Sequence, residues 1–288
     1  GGSGSLGTAL TLKLLAEGNK VRAIARNEHG LEKLRKKIPA EYLGRFSELI
    51  GDVRDLDRMR LAVYGATHVI HAAALKIVPA CEYNPNECIE TNINGTVNVA
   101  RAVIDTSSVR RAVIIGTDKA VESSTIYGAS KLCALRAWLA SNKYAPQRNP
   151  FVGVVYGNVA GSNGSILHIF RKQAETGTIG ITDFGCTRFH MQLSDAVTLV
   201  LNALHKADAG SVWVPKLRTY RVVDFAAAVA PGCEQKEIGL RPNEKIHELL
   251  ISENEAHYAK DCGSHFSLIP GVIQGKGGWK YHSGMPEL

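Results

Sequence analysis

No run in this chain approaches the roughly 20 consecutive apolar residues that crossing a bilayer takes, so no membrane is expected in this stretch. Paired cysteines are missing too. The six that occur (Cys81, Cys88, Cys133, Cys186, Cys233 and Cys262) lie far apart with no C-x-x-C spacing. That excludes a disulfide framework and a cysteine zinc site, and reads as reduced, buried thiols of a cytoplasmic protein. None of the ten histidines forms an H-x-x-x-H pair, and Glu248 beside His247 is no zinc motif, so no metal is expected. Charged residues are sparse, 21% against 45% hydrophobic, too apolar a mixture for a disordered chain.

What is present is 288 residues, enough for one large domain or two ordinary ones. The net charge is +7, yet the densest basic cluster (Lys33, Arg35, Lys36, Lys37) falls on one short helical stretch. With no reader motif beside it, that cluster reads as a solvated helix face, and no nucleic-acid partner is expected. A positive surplus also suits a pocket for several phosphates.

Periodicity organises the first half. Leu6, Leu10 and Leu14 predict a helix over Ser5–Ala16, with Gly18 just past its end. Strands are predicted at Val21–Ala25, Leu49–Ile50, His68–Ala72, Arg111–Gly116, Phe151–Val155 and Ser211–Val214. Helices are predicted at Leu31–Lys37, Asp57–Tyr64, Glu87–Thr106, Tyr127–Ser141 and Val223–Val229. Strand–helix alternation with continuously apolar strands means a doubly wound α/β fold, a parallel sheet covered on both faces, with a smaller and less regular lobe after Tyr156.

The chain opens on Gly1-Gly2-Ser3-Gly4. Glycine turns that cradle phosphate normally follow a buried strand. The expectation is therefore a Rossmann-like fragment beginning just after its first strand, although a linker scar would read the same from these four residues. Gly2-x-Gly4-x-x-Gly7 lets a backbone approach a pyrophosphate at a positive helix end. Arg26 ends the next strand where an NAD site usually carries an acid, which favours the 2′-phosphate of NADP over NAD. Gly51-Asp52-Val53 suits the adenine edge, and Ala72-Ala73-Ala74 leaves room for the cofactor.

Tyr127-Gly-Ala-Ser-Lys131 places a phenol and an ammonium on one helix face. A free tyrosine has a pKa of about 10, too high for a base at neutral pH. A nearby Lys131 and a nicotinamide charge would lower it. Upstream, Thr117-Asp118-Lys119 sits at the carboxyl end of a strand, where open parallel sheets bind ligands. Oxidising an alcohol needs no further acid–base pair, whereas eliminating water does, and Asp118 with Lys119 supplies one. Each motif alone has a plain packing or turn reading, so the weight lies in their combination.

On these residues the chain resembles the extended short-chain dehydrogenases/reductases, and within them the configuration-inverting UDP-N-acetylglucosamine 4,6-dehydratases. The resemblance runs through Gly51-Asp-Val-Arg-Asp55, His71-Ala-Ala-Ala-Leu-Lys76, Glu82-Tyr-Asn-Pro85, Thr91-Asn92, Thr117-Asp-Lys-Ala-Val121 and Tyr127–Lys131. It continues through Tyr156-Gly-Asn-Val159, Thr187-Arg-Phe189, Val214-Pro-Lys216, Ala230-Pro-Gly-Cys233 and Arg241-Pro-Asn-Glu-Lys-Ile-His-Glu248. It implies Tyr127 as base on the 4-hydroxyl, Lys131 holding that tyrosine and the nicotinamide ribose, and Thr117 near O4. Lys119 would take the C5 proton and Asp118 would protonate the leaving 6-hydroxyl. The cofactor contacts it implies are Gly1, Ser3, Gly4, Ser5, Leu6, Gly7, Arg26, Asn27, Asp52, Val53, Ala72, Ala73, Ala74, Lys76 and Asn92, together with Tyr127 and Lys131.

The UDP-sugar would meet Lys76, Asn158, Val159, Thr187, Arg188, Arg241 and Glu244. The implied division is a dinucleotide domain of residues 1–154 with a return segment at about 184–222, and a nucleotide-sugar lobe of 155–183 and 223–288. A homo-oligomer serving surface-glycan synthesis is expected, with the family tail cut short at the C-terminus. The chain departs from the family pattern at Val155, Asn163, His190 and Glu122–Thr125, which surround the nucleotide sugar and bear on which substrate it takes. A 4-epimerase needs only Tyr127 and Lys131, and an NADP-sensing module needs neither. Both stand as alternatives.

Overall fold

The computed structural model describes residues 1–146, 148, 150–161 and 165–285; Asn163 lies outside them. The chain begins α1 (Ser5–Ala16), β1 (Val21–Ala25), α2 (Glu28–Arg35), β2 (Phe46–Ile50), α3 (Leu56–Val63) and β3 (His68–His71). Asn27 and Asp55 start α2 and α3 by accepting from the backbone N–H of Gly30 and Arg58, which satisfies donors the helix itself leaves open. Next come α4 (Val78–Tyr83), α5 (Pro85–Ile89), α6 (Gly95–Asp105), β4 (Arg111–Ile115), α7 (Ile126–Ala140) and β5 (Phe151–Val154). The single helix expected over Glu87–Thr106 is interrupted, because Glu90–Asn94 forms a π-helical turn between α5 and α6. Such turns widen the helix locally and tend to occur at functional sites. Here the turn carries Asn92.

The second half runs α8 (Ile166–Ala174), β6 (Thr178–Ile181), β7 (Thr187–His190), α9 (Leu193–Lys206), β8 (Val212–Pro215), β9 (Arg218–Arg221) and α10 (Val222–Val229). It ends with β10 (Glu234–Glu237), β11 (Leu249–Ile251), α11 (Glu253–Ala256), β12 (Ala259–Asp261), β13 (His265–Leu268) and β14 (Tyr281–His282). The main sheet has the order β12-β13-β8-β5-β4-β3. Its members β3, β4, β5 and β8 are parallel, as alternation predicts. Residues 259–268, expected in the smaller lobe, instead add two antiparallel strands at its edge. Both strands are short and joined by a tight turn, so strand–helix alternation carried no sign of them. β1 and β2 pair in parallel as a separate ribbon. Among the described residues no strand lies between β1 and β3. Gly1 and Gly2 lie there, the Gly2 N–H donating to the Ile24 carbonyl at 2.9 Å and Gly1 packing on the Ala72 backbone.

Side chains alternate across β4. Ala112 and Ile114 pack with Val99, Val103, Ala134 and Trp138 of α6 and α7, whereas Val113 faces Leu10, Val197 and Val200 of α1 and α9. Trp138 is fully buried against Phe151 and His71, and its Nε1 donates to the Val152 carbonyl at 3.0 Å. The smaller lobe gathers β6–β10, β7–β9, α8 and α10 around Phe170, Ile179, Ile181, Val222 and Ala226. All six cysteines are free, but only Cys81, Cys88 and Cys186 are buried, while Cys233 is partly exposed. Cys133 and Cys262, expected to be packed, are exposed. For Cys133 the cause is helical phase. Ala129, Cys133, Arg136 and Ala140 form the outer stripe of α7, while Tyr127, Lys131, Leu135 and Trp138 turn inward. Among the described residues no helix is long and apolar enough to cross a membrane.

Candidate active site

The glycine turn and the N-terminus of α1 stand at the carboxyl ends of β1 and β3. Gly1 and Gly7 are forced by close packing: a Cβ on Gly1 would strike the Ala72 backbone, and one on Gly7 the Gly1 carbonyl. Gly4 differs. Its added Cβ would meet only the Gly1 carbonyl, at 3.4 Å, and it precedes α1 without a side-chain cap. That leaves an open backbone cradle at a positive helix end, the fit a pyrophosphate requires. Ser3 packs where a Cβ on Gly30 would fall, and Leu6 joins the partly buried residues against the α9 face.

Arg26, its side chain 48% exposed, lies 4.0 Å from Asp52. Burial works against the Asp52 carboxylate, but hydrogen bonds from Arg54 Nε and Nη2 (3.0 and 2.8 Å) outweigh it and hold its pKa below the usual range. Arg54, which also reaches Glu87 at 2.9 Å, is thus the nearer partner of Asp52, and Arg26 is the more distant one. Val53 is buried, Ala72, Ala73 and Ala74 are partly buried, and Lys76 is exposed.

Asn92 is 1% exposed, and its amide is taken up by the protein. Its Oδ1 accepts from Leu75 N at 2.8 Å, while Nδ2 donates to the Leu75 carbonyl at 3.0 Å and Ser130 Oγ at 2.9 Å. It ties the loop after β3 to the middle of α7, one residue from Lys131. The π-helical turn thus fixes the helix that carries the tyrosine and lysine.

β4 delivers the Thr117–Lys119 turn. The Asp118 N–H donates to the Tyr156 carbonyl at 3.2 Å, so the β4–β5 ladder continues to the turn itself. Thr117 Oγ1 donates to Asp118 Oδ1 at 2.9 Å, and Lys119 Nζ donates to the same oxygen at 3.2 Å. Asp118 is 1% exposed, and its Oδ2 is buried without a partner beside Gly157. Lys119 retains 31% of its side-chain exposure, so it is the member of the turn open to a ligand. Burial raises the Asp118 pKa more than Lys119 lowers it.

Thr125 caps α7 through the Gly128 N–H at 3.1 Å. Gly128 lies so close to the turn that a Cβ there would run into the Lys119 carbonyl and the Ser123 hydroxyl. That contact is why glycine follows Tyr127. The Tyr127 hydroxyl hydrogen-bonds Thr117 and senses the charges of Lys119 and Asp118, so four of the five expected residues meet; Lys131 is buried on the same face of α7, its charge felt by His71. Burial pushes the Tyr127 phenol up to about 12, against the lowering effect of Lys119 and Thr117, and burial brings Lys131 down to about 8.

The residues expected around the nucleotide sugar divide. Asn158 Oδ1 is buried and without a partner, and Val159 bridges to Met191. Thr187 Oγ1 is shared with His247 Nδ1 and Ser283 Oγ, both at 2.8 Å. Arg188 is only 7% exposed and is spent within the protein, on the Thr187 and Ile246 carbonyls (2.8 and 2.9 Å) and on Glu244 Oε1 (3.2 Å). Arg241 is exposed, with its backbone N–H donating to Glu244 Oε2 at 3.2 Å. Sequence reasoning assigned no chemistry to Glu248, whose Oε1 lies 3.2 Å from Lys119 Nζ. The available signal was an acidic residue closing the Arg241–Glu248 stretch.

Residues 1–270 match the family model described as polysaccharide biosynthesis protein. The chain is 37% identical over 277 residues to the UDP-N-acetylglucosamine 4,6-dehydratase (inverting) of Campylobacter jejuni subsp. jejuni, covering 94% of this chain and 82% of that one. It is 34% identical over 279 residues to the UDP-glucose 4-epimerase of Rickettsia rickettsii, covering 93% and 81%. Among solved structures, Pen from Bacillus thuringiensis aligns with a TM-score of 0.91 at 32% identity, covering 98% of this chain and 92% of that one.

Proposed function

The chain belongs to the polysaccharide biosynthesis protein family, and on that premise we propose that it is an NADP-dependent 4,6-dehydratase of a UDP-N-acetylhexosamine, first of all UDP-N-acetylglucosamine, inverting C5. The family match over residues 1–270 and the 37% identity over 277 residues support the resemblance read from the motifs. The observation that carries the proposal is the contact of Lys119 Nζ with Asp118 Oδ1 at 3.2 Å, joined through Thr117 to Tyr127. An alcohol oxidation leaves that acid–amine pair without a task, whereas expelling water needs both members.

Gly4 and the first turn of α1 would hold the pyrophosphate, Arg26 the 2′-phosphate, and Tyr127 with Lys131 the nicotinamide end. Bound NADP would supply a hydride acceptor at C4, a donor back to C6, and a positive charge beside the phenol. Tyr127 removes the 4-hydroxyl proton once its phenolate is favoured. Lys119 takes the C5 proton, made acidic by the adjacent ketone, and Asp118 protonates the departing 6-hydroxyl. Asp118 Oδ2 and Asn158 Oδ1, both buried and unpartnered, are the acceptors left for sugar hydroxyls. Arg241, exposed beside Glu244, is the arginine available to the diphosphate.

Incubation with UDP-N-acetylglucosamine and NADP in deuterated water should give a product lighter by one water, with deuterium at C5 and no reductant consumed. A 4-epimer as the sole product refutes the proposal. Behind the epimerase reading stand relatives of that name, the Rickettsia rickettsii protein at 34% identity among them. Lys119→Ala separates the two, since an epimerase survives it and a dehydratase does not. Cofactor bound with no turnover of any nucleotide sugar would leave the sensing module.

A further inference from the structure

Glu248 is 4% exposed and sits just before β11. Its backbone is clamped by Ser283: the Glu248 N–H donates to Ser283 Oγ at 2.9 Å, and the Ser283 N–H donates to the Glu248 carbonyl at 2.9 Å. Its Oε1 lies 3.2 Å from Lys119 Nζ and 3.8 Å from Arg188 Nε. Arg188 is itself held by Glu244 at 3.2 Å. The charges therefore alternate along Asp118, Lys119, Glu248, Arg188 and Glu244, with Asp118, Glu248 and Arg188 buried. Buried ion pairs are weak evidence of stabilisation, because desolvation offsets their attraction. A carboxylate brought from the far end of the chain to a catalytic amine calls for another explanation.

Building on the dehydratase reading, we infer that Glu248 is a positioning residue for Lys119: its carboxylate, clamped through Ser283, holds the amine opposite Asp118 in the place from which it takes a proton from carbon. The proton count closes within the cluster. At rest, Asp118 and Lys119 are an ion pair. Moving one proton from the ammonium to Asp118 leaves a free amine beside a carboxylic acid. The amine lone pair then bonds the C5 proton as the C–H electrons pass into the 4-ketone. The Asp118 O–H breaks to protonate the 6-hydroxyl, which departs as water with the C6–O electrons. Asp118 is a carboxylate again and Lys119 an ammonium again, so no co-reactant is consumed. Glu248 stays charged throughout; its attraction opposes the first proton transfer as much as it favours the return to ammonium, so its contribution is to orient the amine. Burial opposes charge on Lys119, but Asp118 and then Glu248 outweigh it and hold that amine above the ordinary lysine range. Burial also opposes charge on Glu248, and Lys119 and Arg188 overcome it, keeping this carboxylate ionised.

The test compares Glu248→Gln (isosteric, uncharged) and Glu248→Asp (charged, one methylene shorter) with the wild type, using UDP-N-acetylglucosamine and NADP. Glu248→Gln should form product about 100-fold more slowly, the loss expected when a general base is held out of position. Oxidation at C4 should persist, so the near-ultraviolet absorbance of the reduced cofactor accumulates. Glu248→Asp should recover part of the elimination. Unchanged product formation in Glu248→Gln, with a wild type that dehydrates its substrate, overturns the assignment and leaves the dehydratase reading standing. Parallel loss of oxidation and elimination also overturns it, since that is a structural effect. Should Glu248→Gln not fold, Glu248→Asp decides by the same split. A wild type that yields only a 4-epimer removes the reading, and the role of Glu248 with it.

Discussion

Gly157→Ala tests whether the space beside Asp118 is functional. The glycine has no positive φ, so alanine fits its backbone. The new methyl would stand 2.8 Å from Phe189 Cβ and 3.3 Å from Asp118 Oδ2. Ordinary contact begins at 3.4 Å, so Phe189 must yield by 3.4 − 2.8 = 0.6 Å. Phe189 is fully buried on β7 and has nowhere to retreat. Overpacking of this kind costs about 1–3 kcal/mol, which should lower the urea midpoint without changing its slope. The methyl also presses an apolar group onto Asp118 Oδ2, the carboxyl oxygen not already taken by Thr117 and Lys119. Elimination should slow by about 100-fold or more, the contribution of a lost general acid, while C4 oxidation continues. Product formation and reduced-cofactor absorbance, followed together, read both effects. Gly44→Ala, where nothing lies within 4 Å of the added carbon, is the neutral control. An alanine variant that dehydrates its substrate at the wild-type rate refutes the reasoning.

The remaining predictions concern the cofactor, the core and pH. Arg26→Ala should weaken NADP relative to NAD by about 10- to 100-fold, the worth of a charge-assisted contact; an unchanged preference in paired KM measurements would reassign the residue. Trp138→Ala should cost about 3–5 kcal/mol in denaturant unfolding, since the indole is fully buried and its N–H bonded; a loss below 1 kcal/mol would contradict that packing. His71, whose Nε2 lies 2.9 Å from Thr96 Oγ1, is held well below its ordinary pKa of 6.5, first by burial and then by Lys131. As the pH falls below 6.5 the unfolded chain gains a proton that the native imidazole refuses, so stability drops by up to about 1.4 kcal/mol per pH unit. Urea midpoints across that range should slope downward toward acid in the wild type and flatten in His71→Gln.

How legible all this was in the sequence depends on whether a signal was local. Helix α1 and strand β1 were predicted to the residue because leucine spacing and an apolar run sit inside them. The Thr117–Lys119 turn and the Tyr127/Lys131 pair were legible as motifs, since each is set by a few neighbouring residues. Interruption of the helix around Asn92 was not, because its cause is a side chain reaching Leu75 and Ser130 in other elements. Nor was the position of Arg188: a motif says that an arginine is present, not that Thr187, Ile246 and Glu244 consume its donors. The rise in the Tyr127 pKa has the same origin. Burial belongs to the assembled fold, and no spacing rule reports it.

The two antiparallel strands at the sheet margin have a consequence for how this protein behaves at high concentration. A sheet margin is a row of unsatisfied peptide groups on which a neighbouring molecule can template itself. Here the outermost strand, β12, is three residues long, and two of those residues, Lys260 and Asp261, are exposed and charged. So short and solvated a border gives an incoming polypeptide little to zip against, so fibre formation from this side is disfavoured by construction.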